Sequence, residues 1–287
     1  MARSSLITAA ALVLAAATLT ACTGTSPGGT TTSTTATSAA TASGGLTTLK
    51  IGASATPHAV ILQYVQDHLA TAAGLKLDIR EYADYILPNK ALQDGSLDAN
   101  YFQHQPYLTA QVKEFGYDFY AFPGVHIEPL GIYSKKITSL SAVPDGGTVG
   151  LSNDPANQGR GLRLLQAQGL LGLRDTGGAD PTLLDVADNP HNLKLQEIAP
   201  EQLAYSLQDL DLAVINGNYA IQANLNPQKD GLALESGVNN PYANMVVCRT
   251  ADKASPALVK LNDLLHSAEV KKFIQDTWPN GAVIPAF

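Results

Sequence analysis

Asn153-Asp154-Pro155-Ala156-Asn157-Gln158-Gly159-Arg160 is the stretch around which the chain is organised. It follows a short apolar run, Val149-Gly150-Leu151, and precedes a helical pattern carrying Leu162, Leu165 and Leu170. Asp154 suits an N-cap and Pro155 the first helical position, where its missing N–H is no loss. A strand therefore ends, the chain turns, and a helix starts with its free N–H groups facing the turn. Such a start attracts an anion, and Arg160, about two turns further in, adds a planar fork that suits a carboxylate. Alone, the stretch also fits an ordinary capped helix with a solvated arginine. Its meaning rests on the chain around it.

Upstream, strand and helix patterns alternate. Leu49–Ala53 reads as a strand, and Thr56-Pro57 opens a helix with Ile61, Leu62, Val65 and Leu69 on one face, ended by Gly74. Leu75, Leu77 and Ile79 alternate with Lys76, Asp78 and Arg80, the two-residue period of a strand. A short helix over Pro88–Gln93, a strand over Leu97–Phe102 and a helix from Pro106 to Gly116 follow. Downstream of Thr148–Leu151 the pattern continues with Leu193–Ile198, a helix from Pro200, Leu210–Ile215 and Ala243–Arg249. Ser255-Pro256 then caps a long C-terminal helix. This βαβα order predicts largely parallel sheets with helices on their faces. Two α/β lobes, residues 48–140 with 241–287 and residues 141–240, would leave a ligand cleft at the carboxyl ends of their strands. The alternation alone also admits other α/β folds.

The N-terminal 47 residues stand apart. Residues 1–22 combine Arg3, an apolar run from Leu6 to Leu19 too short for a stable span, and Leu19-Thr20-Ala21-Cys22. That ending resembles the bacterial lipobox, whose cysteine becomes diacylated; a plain secretory signal cut near Ala21 is the alternative. Lipid on Cys22 would anchor the protein without making it span the membrane. Residues 23–47 are almost all Thr, Ser, Ala and Gly, a composition that cannot bury enough apolar surface to order itself. As a flexible tether they would reach roughly 25–30 Å. Gly24-Thr25-Ser26-Pro27-Gly28 matches a hydrolase elbow in letters only, since that motif belongs between a strand and a helix and this one lies in low-complexity sequence.

The 25 acidic and 18 basic residues give a formal charge of −7 with no basic patch, which argues against a nucleic-acid partner. Beyond Cys22 the only cysteine is Cys248, in the strand-like Met245-Val246-Val247-Cys248, so there is no disulfide framework and the thiol reads as a small core hydrophobe.

Several strand ends are richer in polar and aromatic groups than a core requires. Asp98–Tyr107 ends a strand with Tyr101, Phe102 and His104; Val214-Ile215-Asn216-Gly217-Asn218-Tyr219 puts two carboxamides after an apolar run; Asn244 opens another strand. Each has a plain reading as core, N-cap or turn. Together with Pro57-His58-Ala59, Asp84-Tyr85-Ile86-Leu87-Pro88-Asn89, Gly131–Lys136, Asn153–Arg160 and Asp188-Asn189-Pro190, they form one ordered pattern. It resembles the signature segments of the NlpA family of methionine-binding lipoproteins over residues 48–287. The resemblance implies a type II periplasmic-binding-protein fold, lipid-anchored on the extracytoplasmic face, that delivers methionine to the permease and ATPase subunits of an ABC importer. It further implies Tyr85, Phe102 and His104 as the wall around a thioether, Arg160 with Asn157 as the carboxylate grip, and Asn216 and Asn244 as contacts to the amino-acid backbone. Thioether–aromatic contact suits that wall. No cofactor is implied.

Other classes are weighed on the same residues. A different small amino acid or a Met-containing dipeptide fits the same pattern. A hydrolase lacks a nucleophile motif in structural context and a phosphate loop. A metal-binding protein would need clustered ligands, whereas His58, His68, His104, His126, His191 and His266 are scattered without ligand spacing.

Overall fold

The computed structural model describes residues 45–287. The predicted signal peptide with Cys22, and the tether up to residue 44, lie outside the described residues. The chain enters on β1 (Thr47–Ser54), where Leu49 and Ile51 point inward and Lys50 outward. Helix α1 (Val60–Val65), extended on both sides by wider turns, lays Ile61, Leu62 and Val65 against that strand. Then come β2 (Leu75–Tyr82), α2 (Leu87–Gln93), β3 (Ala99–His104), α3 (Gln105–Phe115) and β4 (Phe119–Ile127). The chain crosses at residues 128–130 into a second unit. There it forms β5 (Gly131–Tyr133), β6 (Thr148–Ser152), α4 (Pro155–Ala167), a small hairpin of β7 (Gly172–Leu173) and β8 (Val186–Asp188), β9 (Lys194–Ile198), α5 (Pro200–Ser206), β10 (Leu212–Ile215), α6 (Gly217–Gln222), α7 (Pro227–Asp230) and β11 (Gly231–Leu234). It returns on β12 (Asn244–Arg249), α8 (Pro256–Leu265), α9 (Ala268–Thr277) and β13 (Ile284–Pro285).

Two sheets result, ordered β13-β4-β12-β3-β1-β2 and β11-β5-β10-β6-β9. Local crossovers keep β1 parallel to β2 and β3, and β6 parallel to β9 and β10. The expectation of largely parallel sheets holds for neither: β5 is antiparallel to both β10 and β11 in the second sheet, and the first departs further. Strand β12 lies between β3 and β4 and is antiparallel to both. It arrives only after the whole second unit has been built, so no βαβ crossover dictates its direction. Gly131–Tyr133, within the span assigned to the first lobe, hydrogen-bonds into the second sheet through Ile215 and Leu234. The single C-terminal helix is also two: Ser267 accepts a bond from the Val270 N–H and caps a separate α9.

Each sheet carries its own core. Ile51, Leu62, Leu75, Val125 and Leu261 fill the first, with Cys248 among them; burial pushes its free thiol up to about 11. Ile132, Val149, Leu151, Leu162 and Leu165 fill the second. Each such side chain contributes about 1.5–3 kcal/mol. Helix α4 lies close on its sheet because Gly161 has no side chain: a Cβ there would sit 2.8 Å from Leu151 and 3.3 Å from Val214. No described helix is long and apolar enough to cross a membrane.

Candidate ligand-binding site

The ends of β3, β4, β6 and β10 converge where the two sheets face each other. Tyr85, Phe102, His104, Asn157, Arg160, Asn216 and Asn244, the seven residues expected around a ligand, all line one cavity of about 320 Å³. Gln103, Tyr107, Glu128, Gly217 and Asn218 line it too. One side is aromatic: Tyr85 lies 5.9 Å from Phe102, 5.8 Å from Tyr107 and 5.0 Å from Tyr219, measured between ring centroids. Tyr107 Oη donates to the Tyr85 carbonyl at 2.9 Å, and Tyr85 Oη donates to Asn218 Oδ1 at 2.5 Å, which fixes both rings.

The other side is a chain of carboxamides. Asp154 caps α4, accepting from the Asn157 N–H at 2.9 Å and from Asn157 Nδ2 at 3.1 Å. This turns Asn157 Oδ1 outward, where it accepts from Asn216 Nδ2 at 2.8 Å and from His104 Nε2 at 3.2 Å. His104 Nδ1 accepts the Tyr107 N–H at the start of α3, so its proton sits on Nε2. Burial, and secondarily the Arg160 charge, lower its pKa to about 3, so the ring is neutral. The free helix start expected for an anion is therefore occupied by the chain's own Asp154, whose buried carboxyl is raised above the usual range by desolvation.

Arg160 is buried, and its fork is half used. Nε donates to both oxygens of Glu235 at 3.1 Å and Nη2 to Glu235 Oε2 at 2.5 Å and the Glu128 carbonyl at 3.0 Å. The Tyr242 ring covers the guanidinium 4.1 Å away. Nη1 makes no hydrogen bond among the described residues. Glu235 thus holds one edge of the fork that the sequence offered to a ligand carboxylate.

Glu128, 5 % exposed at the end of β4, completes the charged set. His126 Nε2 donates to its Oε1 at 2.8 Å and His58 Nε2 lies 3.3 Å from the same oxygen. Histidines scattered in sequence are thus gathered in space, and His58, His126 and Glu128 have the donor identities of a metal site. His126 hydrogen-bonds that oxygen, while His58 Nε2 hydrogen-bonds Asn244 Oδ1 at 3.1 Å and meets Glu128 as a close contact. Burial lowers His58 to about 4 and His126 to about 3. Sequence reasoning passed over Glu128, although its signal is present: a carboxylate directly after the apolar strand end His126-Ile127 and before Pro129.

The family model described as NlpA lipoprotein matches residues 49–287. The chain belongs to the NlpA lipoprotein family. Among its relatives, the methionine-binding lipoprotein MetQ of Bacillus subtilis is 42% identical over 248 residues, covering 85% of this chain and 90% of that protein. A nutrient-binding protein from Burkholderia cenocepacia, solved bound to methionine, is 45% identical with a TM-score of 0.80, covering 83% of this chain and 100% of that one. An ABC transporter periplasmic substrate-binding protein from Coxiella burnetii is 39% identical with a TM-score of 0.79, over 83% and 100% of the two chains. This NlpA-family chain shares the two-lobed α/β fold of those binding proteins.

Proposed function

We propose that this protein captures methionine between its lobes and delivers it to an ABC importer, held by lipid on Cys22 at the extracytoplasmic face of the membrane. The observation that carries the reading is the division of one cavity into an aromatic side and a zwitterion-complementary side. Tyr85 and Phe102 pack against the thioether, with the neutral His104 ring beside them. Arg160 Nη1 takes the α-carboxylate, and Asn216 and Asn244 orient the backbone atoms, with Asn157 holding His104 and Asn216 in register. The lobes divide at the crossovers near residues 128–131 and 235–244, where the chain leaves one sheet for the other.

Support comes from the methionine-bound Burkholderia relative and the transporter-associated Coxiella relative. The relatives are binding proteins, and we read this chain likewise as binding without reacting. Calorimetry with L-methionine should give one-to-one binding, and mass spectrometry should return the ligand unaltered after long incubation. Absence of binding, or recovery of a cleaved or oxidised product, would remove the reading.

A further inference from the structure

We propose that Glu128 is the counter-ion for the ammonium group of the ligand, and that His58 and His126 are neutral positioning residues that aim its carboxylate. The proposal deepens the amino-acid reading above and rests on it. Two residues lining the cavity carry formal charges, Arg160 and Glu128. Arg160 has its own carboxylate partner in Glu235 at 2.5 Å. Among the described residues, no lysine or arginine reaches the Glu128 carboxylate, and Arg160 meets only its backbone carbonyl, at 3.0 Å. A buried carboxylate without a cation is costly. Its cation is therefore sought in the ligand.

The hydrogen bonds around Glu128 keep it aimed without cancelling its charge. The Tyr101 hydroxyl donates to His126 Nδ1, which leaves the proton of that ring on Nε2, facing Glu128. His58 Nε2 faces two acceptors, Glu128 Oε1 at 3.3 Å and Asn244 Oδ1 at 3.1 Å, so it too carries the proton. Its Nδ1 is buried without a partner, a place where a lone pair is tolerated more easily than an N–H. Both rings are thus neutral donors. Gly217 lets helix α6 press against the acid: a Cβ there would sit 2.6 Å from Glu128 Cβ and 3.2 Å from Oε2. Cationic histidines would neutralise the site; neutral ones leave the carboxylate, which burial pushes toward its protonated form, to be offset by the ligand's ammonium.

The ligand class follows. A free α-ammonium is required, so N-acylated amino acids and residues whose amine lies in a peptide bond are rejected. The test titrates the full mature chain with three probes: L-methionine, 4-(methylthio)butanoate, which lacks the amine, and methioninol, which lacks the carboxylate. Wild type should bind methionine at least about 10- to 100-fold more tightly than the des-amino acid, the scale of one charge-assisted bond. Glu128→Gln should lose about that factor for methionine and methioninol while changing the des-amino acid by less than about threefold. His126→Phe should narrow the methionine to des-amino ratio, and His126→Gln, which restores an N–H donor, should recover it. Equal losses on all three probes would make Glu128 structural and overturn the proposal. If Glu128→Gln does not fold, the wild-type comparison decides: equal affinity for methionine and the des-amino acid overturns the ammonium site. Binding of none of the probes would instead fell the amino-acid reading itself.

Discussion

Replacing Arg160 with alanine tests the carboxylate end of the site most directly. The guanidinium makes its bonds to Glu235 and the Glu128 carbonyl through Nε and Nη2, and Nη1, without a partner among the described residues, is the atom proposed for a ligand oxygen. One charge-assisted hydrogen bond is worth about 1.5–3 kcal/mol, so Arg160→Ala should weaken methionine binding by about tenfold to somewhat over a hundredfold. The substitution also strips Glu235 of its cation. Glu235 is 19 % exposed, so water can take over part of that role, and the stability loss should fall below the roughly 3–5 kcal/mol typical of breaking a fully buried pair. Affinity and thermal midpoint must therefore be read together. Arg160→Lys should recover little, since an ammonium cannot serve Glu235, the Glu128 carbonyl and a ligand at once. The decisive measurement is calorimetry with methionine and methioninamide on both proteins. Amidation should weaken wild-type binding strongly and add little to the loss in Arg160→Ala, because coupled groups do not add. If the two losses simply sum, Arg160 does not hold the carboxylate.

Phe102→Ala removes one aromatic surface, 3 % exposed, from the proposed thioether wall; methionine affinity should drop by about 1–3 kcal/mol, and unchanged affinity in the folded variant would place the ring in the core alone. Stability should fall on acidification. His58, His104 and His126 have pKa values depressed to about 4, 3 and 3 by burial, so the unfolded chain binds more protons as pH falls below about 6.5. Their contribution is present above that value and is lost down to about pH 3–4, offset in part by Glu128 and Asp154, whose raised carboxyls take up protons more readily in the folded state. A thermal midpoint that stays level from pH 7 to 4.5 would contradict this. Cys22→Ala should abolish palmitate labelling and leave the precursor uncleaved; a labelled variant would move the anchor elsewhere.

What was legible in the sequence was local. Asp154-Pro155, Pro106 and Pro200 mark helix starts within one turn of the strands that precede them, and the structure has helices there. Strand direction was less legible where it depended on distant chain. Nothing within Met245–Cys248 states that the strand will insert between β3 and β4, since that follows from the order in which the two units are built. The candidate site divides in the same way. Phe102, His104, Asn157 and Asn216 sit at strand ends flanked by turn and helix signals, and a reading by segment finds them. Glu235 lies 75 residues from the arginine that it pairs with, and His58 and His126 meet at Glu128 only through the pairing of β12 with β4. Such a constellation has no spacing signature, because its geometry is set by sheet order rather than by helical or strand period.

The sheet order also gives the site a means of joining the lobes. Tyr85, Phe102, His104, Glu128 and Asn244 come from the first unit, while Asn157, Arg160, Asn216 and Asn218 come from the second. Hydrogen bonds already cross between the two units, among them Tyr85 to Asn218, His104 to Asn157, Arg160 to the Glu128 carbonyl at 3.0 Å, and Tyr219 to the Ala83 carbonyl at 3.0 Å. On the proposed assignment a zwitterion adds two more, with its carboxylate on Arg160 in one lobe and its ammonium on Glu128 in the other. A ligand lacking either charge contacts only one lobe electrostatically. Its binding energy then differs much less between open and closed arrangements, and a ligand shifts such an equilibrium only by its differential affinity. Closure, and with it presentation of a closed shape to a transporter, would thus be conditional on both charges being present. Small-angle scattering of the mature chain with methionine, methioninol and the des-amino acid in turn should show compaction with methionine alone, and equal compaction with all three would sever closure from the two charges.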